Sequence, residues 1–261
     1  MRIVPRPRWR ASAGVAFSDF FAGVAAARAL AQSGLYPSNA RLLDATEAKL
    51  HRVHGGGTSV LLIGFESADH PLTAWLARAL ELARDHGGTV VSGPTESDSA
   101  QSGAEKGSVG GAWRQAFFAA PYLQSALLSI GILSDTFETA CSWTQFPELH
   151  ARVTGAVSRA LDETCGGGLV SCRFTHVYPD GPAPYYTFVG GLRDLAQWKT
   201  IKAAASEALS SAGGTITHHH AVGRIHRPWY KQERPPLFGG ALSAVKREWD
   251  PRGVLNPGVL V

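Results

Sequence analysis

Two helical stretches in this chain run into the same punctuation. Residues 71–85 lead to Gly87-Gly88-Thr89-Val90, and residues 194–210 lead to Gly213-Gly214-Thr215-Ile216. Glycine closes helices because it accepts the left-handed conformation at their ends, and β-branched residues then favour extended chain. A unit of helix, Gly-Gly-Thr and strand used twice, though a short repeat, suggests two strand-helix-strand halves sharing one antiparallel sheet. The expected class is α+β, an antiparallel sheet covered by helices in a duplicated, ferredoxin-like layout.

The remaining elements fit that scheme. Pro5 and Pro7 oppose an early helix, so residues up to Phe17 read as extended, and Ser18-Asp19 can cap an alanine-rich helix that ends at Gly34. Pro37 starts a return strand through Arg41-Leu42-Leu43, and Gly55-Gly56-Gly57 opens a strand over 58–66. Residues 92–111, rich in Gly, Ser, Thr and Asp, predict a long surface loop. A helix around Trp113–Phe118 and a segment Pro121–Gly131 come next. A strand over 135–143 and a helix over 146–163 follow. Strands over 169–178 and 185–189 then pair across Pro179-Asp180-Gly181. Thr215-Ile216-Thr217 reads as a strand, and a last helix, 237–249, carries Leu237, Ala241, Leu242, Val245 and Trp249 on one side before Asp250-Pro251 stops it.

Composition narrows the function. Across 261 residues, 44% are hydrophobic and 18% charged, the profile of an ordinary globular chain long enough for a substantial core. The net charge of +4 is spread without a lysine-rich block, so nucleic acid is not an expected partner. Cys141, Cys165 and Cys172 are odd in number and lack CxxC spacing, which points to a reduced, cytoplasmic setting without disulfides or structural zinc. No export signal follows Met1, and no apolar run is long enough for a membrane span.

Three constellations carry chemistry. The first is Thr217-His218-His219-His220-Ala221-Val222-Gly223. On an extended segment, His218 and His220 point one way and His219 the other, which suits pocket contacts and disfavours a metal, so none is expected. The second is Cys172-Arg173-Phe174-Thr175-His176-Val177-Tyr178, followed by Tyr185 and Tyr186 on opposite strand faces. Alternation places Arg173, Thr175 and Val177 together. A phenol, with its pKa of about 10, needs neighbouring imidazole or arginine to act as a base, and on strand propensity alone both tyrosines are packing residues. The third is Phe137-Glu138-Thr139-Ala140, with Arg41 and Asp44 as ion-pair candidates on a strand end. Gly55-Gly56-Gly57 precedes a strand and so lacks the dinucleotide-binding context, and no GxSxG elbow supports a hydrolase.

The histidine run, followed by Trp249-Asp250-Pro251-Arg252-Gly253-Val254-Leu255-Asn256-Pro257-Gly258, resembles the C-terminal half of the FAD-linked oxidases of the vanillyl-alcohol oxidase superfamily. The likeness is strongest to alkylglycerone-phosphate synthase (alkyldihydroxyacetonephosphate synthase) and its bacterial relatives. Their CR-x-T-x-x-Y strand matches Cys172 to Tyr178, the acid/base tyrosine after it matches Tyr185, the histidine triplet matches His218, His219 and His220, and the arginine of their R-L-x-D segment matches Arg41. Where the family usually has arginine in P/A-Y-L/I-R-D, this chain reads Pro121-Tyr122-Leu123-Gln124-Ser125. Glutamine hydrogen-bonds but cannot neutralise an anion, so the synthase reaction is less expected than the broader oxidoreductase class.

The resemblance implies FAD as cofactor and a small-molecule substrate. It implies Tyr185 and the three histidines as catalytic, Arg41, Arg173 and Gln124 as substrate-binding, and Asn256 as cofactor-binding beside the isoalloxazine. Those enzymes hold flavin mainly in an N-terminal domain. Residues 1–261 therefore read as one substrate-binding cap with that domain absent, expected to bind FAD weakly and to be inactive alone. The alternative is a non-catalytic interaction module that docks a flavin-binding partner chain, with a homodimer also able to mask the exposed surface.

Overall fold

The structure is a computed structural model that describes residues 3, 5–54, 56–98, 118–119 and 122–261. Its strands are β1 (Trp9–Phe17), β2 (Asn39–Leu43), β3 (Ser59–Ser67), β4 (Thr89–Asp98), β5 (Ile132–Glu138), β6 (Gly168–Val177) and β7 (Pro182–Gly191). Its helices are α1 (Phe20–Gln32), α2 (Ala45–Leu50), α3 (Thr73–Asp85), α4 (Phe146–Cys165), α5 (Leu195–Ser211), α6 (Gly223–Glu233) and α7 (Pro236–Trp249). Residues 122–129 are also helical.

All seven strands form one sheet in the order β4-β1-β3-β2-β6-β7-β5, with every pairing antiparallel. The first half, βαββαβ with order 4-1-3-2, is a complete ferredoxin-like unit. The second half repeats the scheme as β5-α4-β6-β7-α5, with order β6-β7-β5. Its fourth strand is missing: Thr215-Ile216-Thr217 is not a strand, and the Thr215 amide instead donates to Ala140 O at 3.1 Å. The repeated Gly-Gly-Thr thus leads into a strand only in the first half.

Local chemistry explains the element ends. The Asp19 carboxylate accepts the Ala22 amide at the start of α1, and Asp194 with Gln197 forms a capping box on α5. Gly34 and Gly166 take φ of 76° and 73° just past α1 and α4, a conformation costly for any side chain. Phe137, Phe146, Phe174, Tyr186 and Phe188 fill the core between the second half's strands and α4 and α5. Phe20 of α1 meets Phe146 and His150 of α4, with ring centroids 6.2 and 5.3 Å apart, so the helices of both halves cover the same face of the sheet. On the opposite face, α2 covers a smaller cluster of Leu43, Ala48, Val53, Val60 and Leu62.

Several sequence expectations change. Residues 92–98 of the expected loop are strand instead, because β4 continues to Asp98 along β1, while the rest of that loop and the core of the helix expected at 113–118 lie outside the described residues, as do Gly55 and Pro121. The strand expected to reach Trp143 stops at Glu138. Helix α2 was not legible because it has only six residues, and α6 because it contains Pro228 and buries nothing. The expected apolar side of α7 is uncovered, with Leu237 88% and Trp249 81% exposed.

Candidate functional site

The histidine segment is built around a carboxylate. Oε1 of Glu138, at the end of β5, accepts the backbone N–H groups of His218, His219 and His220 at 2.7, 2.9 and 2.9 Å and the Thr217 hydroxyl at 2.6 Å. Three successive amides can reach one oxygen only if the backbone curls, so the extended reading with alternating imidazoles is overturned. Burial alone would raise the Glu138 pKa, but these four donors outweigh it and hold the carboxyl below its ordinary range. The curl also brings Nδ1 of His218 and of His219 within 3.3 Å of each other.

The second half's strands supply the rest. On β7, Tyr185 lies on the α2 side of the sheet, while Tyr186 is fully buried in the core on the other side, so the opposite-face expectation for this pair holds. The Tyr185 hydroxyl pairs with the Thr136 hydroxyl at 2.9 Å, and the Arg173 guanidinium sits 3.9 Å above its ring. His219 stacks 6.2 Å from Tyr185 between centroids, and His220 stands edge-on at 5.3 Å.

A β-bulge decides which β6 residues join them. The ladder pairs Phe174 with Pro184 and then His176 with Ala183, so Thr175 is an extra residue that reverses the alternation. His176 takes the place expected of Thr175, with its ring 5.5 Å from that of His218 and 5.3 Å from that of His219. Tyr178 continues the group, its hydroxyl 3.1 Å from Nε2 of His218.

On the same face, under α2, lies a buried charge network. Arg173 pairs with Glu47 of α2, which also meets His51 at 3.1 Å and the Ser171 hydroxyl at 2.5 Å. Burial pushes the Glu47 carboxyl up, but His51, Arg173 and Ser171 together bring it down to about 2. Asp44 caps α2 and accepts the Cys172 amide, joining the two halves of the sheet. Burial, against those hydrogen bonds, raises its carboxyl to about 6. Arg41 on β2 belongs to the same neighbourhood: burial and then Arg173 lower its pKa. His176 is also lowered, by burial and then by His219, His218 and Arg41, and His220 chiefly by burial, so both imidazoles are neutral at pH 7.

Two expected site residues lie elsewhere. The Gln124 amide donates to Ser134 O at 2.9 Å and borders a separate cleft of about 400 Å³ with Asp135 and Trp198. Asn256, at φ 45°, lines an apolar concavity of about 330 Å³ with Leu242, Val245, Trp249 and Leu255. A concavity of about 800 Å³ beside the turn touches the imidazole group through Tyr178 and His218. Sequence reasoning assigned no role to Glu138, Glu47, Thr136 or His176. For Glu138 the position beside Phe137 and Thr139 was visible, but its partners stand about 80 residues away.

Comparison with known proteins adds three findings. Residues 6–260 match the family described as FAD linked oxidases, C-terminal domain. The chain is 29% identical over 155 residues to alkyldihydroxyacetonephosphate synthase of Trypanosoma brucei brucei, covering 58% of this chain and 25% of that protein. With the Caenorhabditis elegans protein of the same name it is 31% identical over 168 residues, covering 61% and 27%. The matched stretches therefore span about a quarter of the length of these relatives. Among solved structures, an alkyldihydroxyacetonephosphate synthase superposes with TM-score 0.70 at 16% identity, covering 96% of this chain and 44% of the other. The 4-ethylphenol oxidase from Gulosibacter chungangensis superposes with TM-score 0.66 at 12% identity, covering 99% and 55%. At these identities the superpositions establish a shared fold.

Proposed function

Because this chain belongs to the family of FAD linked oxidases, C-terminal domain, we propose that it is the substrate-binding part of an FAD-dependent oxidoreductase similar to alkyldihydroxyacetonephosphate synthase. The observation that carries this reading is the meeting of Tyr185 with His219 and His220, at centroid separations of 6.2 and 5.3 Å, on a sheet face that leaves His176 and His219 exposed.

The donor set on that face fits the reacting end of a flavin and its substrate: a phenol, a guanidinium and two neutral imidazoles. It does not offer a cradle for the pyrophosphate, since among the described residues no glycine-rich turn leads from a strand into a helix as phosphate binding requires. FAD, when bound, supplies the redox centre, and the chain's own groups bind, orient and move protons.

Tyr185 is the acid/base group in this reading. Its hydroxyl is fixed by Thr136, and its ring is clamped beneath Arg173, which Glu47 holds from behind. Such fixing matters because proton transfer requires a heavy-atom separation near hydrogen-bond length. His220 and His176, neutral at pH 7, can accept a proton or polarise a substrate oxygen, and Arg41 with Arg173 makes the site favourable to a negatively charged substrate group. Gln124 contacts substrate only if the substrate extends to its cleft, and Asn256 meets the cofactor only if the flavin spans to the C-terminal concavity. The exposed Leu237, Trp249 and Leu255 form the surface on which a flavin-bearing unit docks.

Substrate-driven bleaching of the oxidised flavin band in the flavin-loaded protein tests this. Replacing Tyr185 by Phe removes the hydroxyl and keeps the ring under Arg173, so the rate falls by roughly 10²–10⁴-fold with little change in circular dichroism. A rate within a few-fold of wild type removes Tyr185 from the chemistry.

A further inference from the structure

The structure assigns a three-ligand site for a borderline divalent metal, of the zinc, cobalt(II) or iron(II) kind, to Glu138, His218 and His219. Three ligand atoms converge there. Oε2 of Glu138 lies 3.0 Å from Nδ1 of His219 and 3.6 Å from Nδ1 of His218, and the two nitrogens are 3.3 Å apart. An ion bound at about 2.0–2.1 Å by nitrogen and oxygen ligands sets its ligands roughly 3 Å apart in tetrahedral or octahedral geometry. The triangle already has that size.

The proton arithmetic of the cluster favours a cation. Two imidazole nitrogens that face each other can share only one proton, since a second would put two donors head to head. The third corner, Oε2, belongs to a side chain that is 1% exposed, and it accepts no hydrogen bond although Oε1 accepts four. A buried carboxylate oxygen without a donor is costly, and a metal ion satisfies it together with both lone pairs. The surrounding groups are those a metal site needs. Four hydrogen bonds lock the carboxylate, and the Tyr178 hydroxyl accepts Nε2–H of His218 in the tautomer that leaves Nδ1 bare. His219 is 38% exposed and gives an ion a route in from solvent.

Two imidazoles and one carboxylate select zinc-like ions over magnesium or calcium, which prefer oxygen alone. Three protein ligands leave coordination positions open, and the rings of His176 and Tyr185 flank the same imidazoles. The expectation that no metal binds rested on an extended backbone, which the curl around Glu138 removes. This assignment depends on the loop geometry alone and is independent of the flavin-linked reading.

Metal-stripped full-length chain titrated with Co²⁺ and with Zn²⁺ is the test. The expected result is saturable binding of one ion per chain, visible cobalt bands of a nitrogen-and-oxygen-ligated site, and displacement of cobalt by zinc. His219→Ala keeps the backbone amides that Glu138 accepts, so it should fold and weaken binding by about 100-fold, while His86→Ala, at the C-terminal cap of α3, leaves binding unchanged. Glu138→Gln should abolish binding and, because it also holds the loop, lower thermal stability. Absence of saturable binding, binding indifferent to His219→Ala, or a preference for Mg²⁺ over Zn²⁺ overturns the site.

Discussion

Among single residues, His150 shows how burial converts a side chain into a pH-dependent stability element. It sits on α4 among Phe20, Phe146 and Tyr186, and burial lowers its pKa from 6.5 to about 4. Between these values the unfolded chain binds a proton that the folded chain refuses. The contribution of this group to stability is therefore complete above pH 6.5 and is lost as the pH falls toward 4, by roughly 3 kcal/mol at most. His150→Leu lacks this titration. Urea unfolding should show the stability difference between variant and wild type moving in the variant's favour as the pH drops from 6.5 to 4, and a difference constant over that range would refute the assignment. Asp44 acts oppositely: with its carboxyl raised to about 6 by burial, the folded chain gains protons first, and the group's burial cost is relieved as the pH falls through 6.

For the elements, the β6-β7 hairpin is decisive because it carries both Arg173 and Tyr185. Its turn is pinned by Gly181, where an added Cβ would lie 1.8 Å from the carbonyl oxygen of Cys141 and 2.8 Å from that residue's carbonyl carbon. Backbone atoms cannot move aside as a flexible side chain can. Gly181→Ala is expected to lower stability by about 3 kcal/mol or more, measured by thermal or denaturant unfolding, and a loss below about 1 kcal/mol would show that the turn yields. Local propensity announced this hairpin through Pro179-Asp180-Gly181. The bulge at Thr175 was not announced, because a one-residue irregularity depends on the partner strand and leaves no periodic trace.

At the scale of the whole molecule, the two halves meet at a narrow seam. The β2-β6 ladder pairs only Leu43 with Arg173, and Asp44 strengthens it by donating its amide to Cys172 O while its carboxylate accepts the Cys172 amide. The Arg173–Glu47 pair crosses this seam, so the candidate site exists only when both halves are folded together. The other large feature is the uncovered apolar surface of α7 and the C-terminal segment, where Leu237, Trp249, Val254 and Leu255 are exposed. On the proposed function, a flavin-bearing unit covers it, and the 261-residue chain alone binds FAD weakly. Purified chain mixed with FAD and passed through a desalting column should emerge colourless; a stoichiometric yellow protein would contradict that expectation.

The sequence by itself determined the elements whose signals are local: the capped helices, the glycine closures, the hairpin and the α+β class. Each follows from contacts within a few residues along the chain. Only the tertiary structure decided where the imidazoles point, because the group that turns them, the Glu138 carboxylate, is about 80 residues away and becomes a neighbour only after the sheet has formed. For the same reason His176 entered the site through a register shift, and Glu47 reached Arg173 across the joined halves. Periodicity records a residue's own backbone state, whereas the chemistry of a site is set by partners that the chain brings together from a distance.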